Sequence, residues 1–120
     1  MKIKSIVVCI SLMGIPFSGY AGDYLNGDQI KKTFSGKTIQ WEHMFKSKSG
    51  KSYYAEDGSL TGVQNGSKRE GKWHVDGNRL CVSWGSCLAI EADGNGGFYK
   101  VKGGSKQVVH IKALSEGNTL

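Results

Sequence analysis

From Lys37 onward, apolar side chains recur at alternate positions in short runs, and turn-forming residues separate the runs. In KTIQWEHMF, Ile39, Trp41 and Phe45 fall on one phase, while Thr38, Gln40 and Glu42 fall on the other. Period two marks a strand with one face on a core. SYYAE follows a Ser-Lys-Ser-Gly turn, SLTGVQ follows Asp57-Gly58, and KWHVD follows the polar stretch NGSKREG. RLCVSW follows Asp76-Gly77-Asn78, a compact hairpin signal, and CLAIEA, GFYKVK and KQVVHIKAL complete the series. The spacing predicts a mainly β protein of about eight strands, an antiparallel meander closed as a small barrel or folded as a sandwich. One segment departs from it. Asn26-Gly27-Asp28 offers a helix cap, Ile30 and Phe34 lie one turn apart, and Gly36 offers a stop. This predicts one short N-terminal helix over 27–35 that lays Leu25, Ile30 and Phe34 on the sheet. No helical run falls between strands, which excludes βαβ units. The final SEGNTL has no periodicity and reads as a loose tail.

The first residues follow a different rule. Lys2 and Lys4 precede an apolar run over Ile6–Met13, Pro16 and Gly19 break it, and Gly19-Tyr20-Ala21 supplies small residues. Charge, short apolar run and small-residue site in this order describe a secretory signal over residues 1–21, too short in its apolar part to span a bilayer. Cys9 lies near the start of the run, after Val7 and Val8, so it reads as part of the signal and not as a lipid anchor. Residues 22–120 then form a single domain of 99 residues, with 14 basic and 10 acidic side chains and a net charge of +4. The expected location is periplasmic or secreted, with no transmembrane segment.

Export makes the cysteines informative. Cys81 and Cys87 are then each other's only partners, and in an oxidising compartment such a pair is a structural disulfide. Alternation agrees. With Leu80, Val82, Leu88 and Ile90 inward, both cysteines point outward across a tight turn near Trp84-Gly85-Ser86, where opposed positions come within bridging distance. Zinc wants four ligands in paired clusters, and thioredoxin-type redox centres want Cys-x-x-Cys at a helix start. Neither pattern is here.

The order of motifs resembles a family of small exported proteobacterial proteins classed as a domain of unknown function. The matching residues are Tyr53, Tyr54, Asp57, Gly58 and Gly62 in YYAEDGSLTG. Gly71, Trp73, Leu80, Cys81 and Trp84 follow in GKWHVDGNRLCVSW, then Cys87 and finally Gly117-Asn118. The resemblance implies an exported β domain with a disulfide and no assigned reaction. A shorter likeness runs over Ser49-Gly50-Lys51-Ser52-Tyr53. It is similar to the Ser-Gly-x-x-Tyr loop with which periplasmic inhibitors of c-type lysozyme enter the enzyme's cleft.

Catalytic signals are thin. No Gly-x-Ser-x-Gly occurs, because GSLTG has its serine one place early. His43, His74 and His110 lie on three different strands, with His43 on the phase of Trp41 and His74 opposite Trp73, so a shared metal site is not expected. DGNGG and KGGSK precede strands rather than helices and read as hairpin loops, not phosphate cradles. An uncharacterised enzyme would need a deep pocket with converging polar groups.

Basic residues gather instead around the turns: Lys46, Lys48 and Lys51 at one, Lys68, Arg69 and Lys72 at another, and Lys100, Lys102, Lys106 and Lys112 along the last hairpin. With the nearby Tyr53, Tyr54 and Trp73, the turns from Lys46 to Tyr54 and from Lys68 to Trp73 predict a contact surface for a protein, a glycan or an anionic envelope component. Nucleic acid is not expected outside the cytoplasm. The sequence thus reads as a monomeric, non-catalytic envelope binding or accessory protein without a cofactor. An inhibitor of a lysozyme-type cell-wall hydrolase, carried by Ser49, Gly50 and Tyr53, is the alternative, and an uncharacterised enzyme a further one.

Overall fold

The computed structural model describes residues 20–120. The expected signal, Cys9 included, lies outside the described residues except for Tyr20 and Ala21. One helix, α1 (Gly27–Phe34), precedes eight strands: β1 (Lys37–His43), β2 (Ser49–Tyr54), β3 (Ser59–Gln64), β4 (Ser67–Asp76), β5 (Arg79–Val82), β6 (Cys87–Ala92), β7 (Phe98–Lys102) and β8 (Lys106–Glu116). Each strand pairs antiparallel with the next, and β8 pairs back onto β1, so the meander is a closed barrel and not a sandwich. The closing pair runs from Lys37↔Glu116 to His43↔Val109, with a register shift between Gln40 and Trp41. Among the described residues no helix is long and apolar enough to cross a membrane.

α1 plugs one end. Asn26 caps it through a reciprocal pair: Gln29 N donates to Asn26 Oδ1 at 2.9 Å, and Asn26 N donates to Gln29 Oε1 at 2.8 Å. Its start is pinned to the β4–β5 turn, where Gly27 N donates to Asn78 Oδ1 at 2.9 Å. The segment before it lies along β6, with Leu25 N on Ile90 O at 2.9 Å and Ala92 N on Asp23 O at 2.7 Å. Held this way, α1 drives Ile30 and Phe34 fully into the barrel. The Phe34 ring meets Tyr54 edge-on at 5.3 Å between centroids and Phe98 at 6.2 Å, and Tyr54 meets Trp73 at 5.4 Å. Edge-to-face aromatic packing of this kind adds to the burial itself.

Four expectations need correction. Phe45 leaves the apolar phase, because β1 ends at His43 and the chain bends over 44–48; its side chain is 64 % exposed. SKREG is not a loop but the first half of β4, a ten-residue strand that continues the ladder opposite β3. Tyr54 and Trp73 are core residues, 1 % and 6 % exposed, so they are not part of a contact surface. The tail is anchored: Thr38 Oγ1 donates to Gly117 O at 2.6 Å and accepts from Thr119 N at 2.9 Å.

If the aromatic plug holds this end, Phe34→Ala costs about 3–5 kcal/mol. Urea unfolding followed by circular dichroism checks it; a loss below about 1 kcal/mol would show that the cluster is dispensable.

Candidate functional site

The end away from α1 is formed by the turns 44–48, 65–66, 83–86 and 103–105. Between them the barrel opens into a cavity of about 770 Å³. Small-molecule sites are commonly about 300–1,000 Å³.

Two tryptophans wall it. Trp41 projects inward from β1, and its Nε1 donates to Ser52 Oγ on β2 at 3.2 Å. Trp84 comes from the β5–β6 turn and lies back across β3 and β4. Its six-membered ring rests on Gly62 and Gly71. A Cβ on Gly71 would come within 2.9 Å of Trp84 Cε3 and would collide with Ser83 Oγ, so glycine makes the seat. The turn is held from two sides. Ser83 N donates to Lys72 O at 2.9 Å and Lys72 N to Ser83 Oγ at 3.0 Å. Across the turn, Cys81 and Cys87 pair in register and are joined, with Sγ–Sγ 2.05 Å. The bridge expected from the sequence therefore fixes the residue that covers the cavity.

The polar lining is one-sided. Lys100 shares its phase with Phe98 and points inward, where Nζ donates to Tyr54 Oη at 3.1 Å. Arg69 shares its phase with Trp73 and holds its guanidinium 4.8 Å from the Trp84 ring centroid. Lys46 and Lys102 stand at the mouth. Val82, Leu88 and Val109 fill the wall between. Among the described residues no aspartate or glutamate lines the cavity. His43 also reaches it; partial burial, then the charges of Lys46 and Lys48, hold its imidazole pKa below the ordinary value. Its Nδ1 takes the Phe45 amide at 3.1 Å, and among the described residues no histidine hydrogen-bonds a hydroxyl of the cavity. The arrangement suits binding of an anion with an apolar body; it offers no paired nucleophile and base.

The sequence-predicted residues divide three ways. Lys46 and Arg69 belong to the cavity, and Lys48 and Lys68 are exposed at its rim. Ser49, Gly50, Lys51 and Tyr53 lie in β2, a paired strand and not a projecting loop; Gly50 packs beneath Trp41. Tyr54 and Trp73 are core, although Tyr54 Oη supports Lys100. Trp41, Ser52, Trp84 and Lys100 were not singled out as a site. The signal was present: a lysine on the apolar phase of FYKVK, and glycines on the inward phase of neighbouring strands.

Outside the cavity the titratable groups do other work. At the β6–β7 loop, burial pushes the Asp93 carboxyl up, but hydrogen bonds from His110 and from the Asn95 and Gly97 amides outweigh it and its pKa falls below the aspartate norm. His110 Nε2 lies 2.9 Å from Asp93 Oδ2, with Tyr99 stacked on the imidazole at 4.6 Å. This latch pins the loop to β8. His74 is exposed on the outer wall opposite Cys81, so the three histidines do not converge. The Asp76 carboxylate lies near both cysteine sulfurs, but these are bonded to each other and present no thiolate.

Comparison with protein families, curated proteins and solved structures returns no match. The function therefore rests on the chemistry of this cavity.

Replacing both Cys81 and Cys87 with serine is expected to cost at most about 2–3 kcal/mol, since the bridge closes a small loop. The larger effect should be local: Trp84 fluorescence, isolated in a Trp41→Phe, Trp73→Phe background with the disulfide intact or absent, shifts toward that of an exposed indole. An unchanged spectrum would separate the bridge from the tryptophan.

Proposed function

We propose that this is an exported, non-catalytic binding module of the bacterial envelope, and that the open end of its barrel holds a small anionic ligand with an apolar body. One observation carries the reading: the cavity gathers Arg69, Lys100, Lys102 and Lys46 around two tryptophans, with no acidic side chain among the described residues of its lining. Like charges gathered around one mouth repel, and clefts lined by one sign of charge concentrate the opposite ion. An anion entering the cavity relieves that repulsion. Its charged group meets Lys100 and Arg69, and its apolar part meets Trp41, Trp84 and Leu88. Export is supported by the order of charge, apolar run and small residues before Asp23, and by the disulfide, which suits an oxidising compartment.

Decanoate and decanol make a matched test, because they share an apolar chain and differ in charge. Isothermal titration is expected to give decanoate an affinity at least about tenfold higher, the scale of a hydrogen bond to a charged group. Lys100→Met should lose most of that preference; it also takes the partner from the buried Tyr54 Oη, so a stability loss of about 1–3 kcal/mol is expected and circular dichroism should show the fold retained. Equal affinities, or binding to neither, would refute the reading.

A further inference from the structure

One end of the barrel is rich in basic side chains. Lys46, Lys48, Lys68, Arg69, Lys102 and Lys106 belong to or flank the four turns around the cavity mouth, and those turns contain no carboxylate. The opposite end is mixed in sign: it carries Asp23, Asp28, Glu56, Asp57, Asp76 and Asp93, but also Lys31, Lys32, Lys37 and Arg79. A meander sends every second turn to the same end, so the basic turns meet at one end.

The basic rim also carries an apolar tip. Met44 and Phe45 are 41 % and 64 % exposed at the crest of the β1–β2 turn. They are not a frayed loop. Met44 N donates to Val108 O at 2.8 Å, Phe45 N donates to His43 Nδ1, and Lys48 N donates to Lys46 O at 2.8 Å. Lys106 Nζ stands 4.9 Å from the centre of the Phe45 ring. The chain thus holds a phenylalanine and a methionine out in solvent, ringed by ammonium groups.

We propose that this rim docks on an anionic lipid surface, with Met44 and Phe45 entering the interface and the surrounding lysines resting on the headgroups. Charge complementarity argues for it: an apolar tip within a cationic ring matches apolar chains beneath an anionic headgroup layer. Net charge alone would attract any polyanion; the adjacent apolar side chains of Met44 and Phe45 favour a surface with hydrocarbon beneath its anionic groups. The basic rim orients the molecule, because the far end mixes both signs and offers the surface no comparable charge. Docking sets the cavity mouth against the bilayer, so an amphipathic acid can pass between membrane and barrel without crossing water. Docking does not require the cavity reading, and the two can fail separately.

Vesicle co-sedimentation tests it. The oxidised protein should bind vesicles of phosphatidylethanolamine with a minority of phosphatidylglycerol, and should not bind phosphatidylcholine alone. High salt should release most of it. Phe45→Ser should weaken binding roughly tenfold, the scale of burying an aromatic side chain. Lys48→Gln and Lys106→Gln should each weaken it about fivefold. Phe45 is exposed and outside the cavity lining, so the Phe45→Ser protein should stay folded and keep its decanoate affinity. Conversely, Lys100→Met should sediment like wild type. Equal binding to phosphatidylcholine, no binding to either vesicle, or full binding by Phe45→Ser would overturn the docking proposal. Loss of decanoate binding alone would leave docking intact and overturn only the cavity reading.

Discussion

Closure of the sheet, β1 against β8, is the constraint from which the rest follows. An eight-stranded barrel has an interior of nearly fixed width, enough for side chains to fill or for one small ligand. Whatever the inward residues leave unfilled becomes a cavity. At the α1 end Phe34, Tyr54, Phe98 and Trp73 fill the width. Toward the other end the inward positions turn to Ser52, Gly62, Gly71 and Lys100, which cannot. The same strands therefore build a core at one end and a recess at the other.

Details that look separate serve that division. The capping pair at Asn26 and the bonds from Leu25 and Gly27 fix α1 as the plug. The tail crosses the closing pair through Thr38, tightening the seam at the plugged end. At the open end the disulfide and the Ser83–Lys72 bonds hold a short turn so that Trp84 lies over two glycines. A tryptophan seated in this way shields the cavity and stacks beneath Arg69. The cysteine bridge thus acts on the site without touching it, and its position on the outer wall keeps the interior free.

Where strands have one wet face and one dry face, alternation made them legible: β3 and the inner half of β6 follow it, and so does α1 at its own period. Barrel and sandwich were not separable, because the choice depends on a pairing between the first and last strands that no local pattern encodes. SKREG concealed the start of β4 because both of its faces are wet near an open mouth, so polarity did not alternate. Phe45 misled for the opposite reason: its phase fits β1, but the strand ends two residues earlier. Tyr54 and Trp73 were legible as important residues and misplaced as surface, since their polar atoms find partners inside, on Lys100 and on Ala55 O. The cavity required three strands to be aligned at once before Lys100, Arg69 and Trp84 could be seen to meet.

The chain contains a built-in control for its central claim: Trp41 and Trp84 line the cavity, and Trp73 is sealed in the plugged core. The decisive measurement is the indole N–H resonance of each tryptophan in a ¹⁵N-labelled protein titrated with decanoate. The account predicts that the Trp41 and Trp84 signals move together and saturate while the Trp73 signal stays in place. Saturable binding that leaves Trp41 and Trp84 unmoved, or that shifts Trp73 equally, would contradict it.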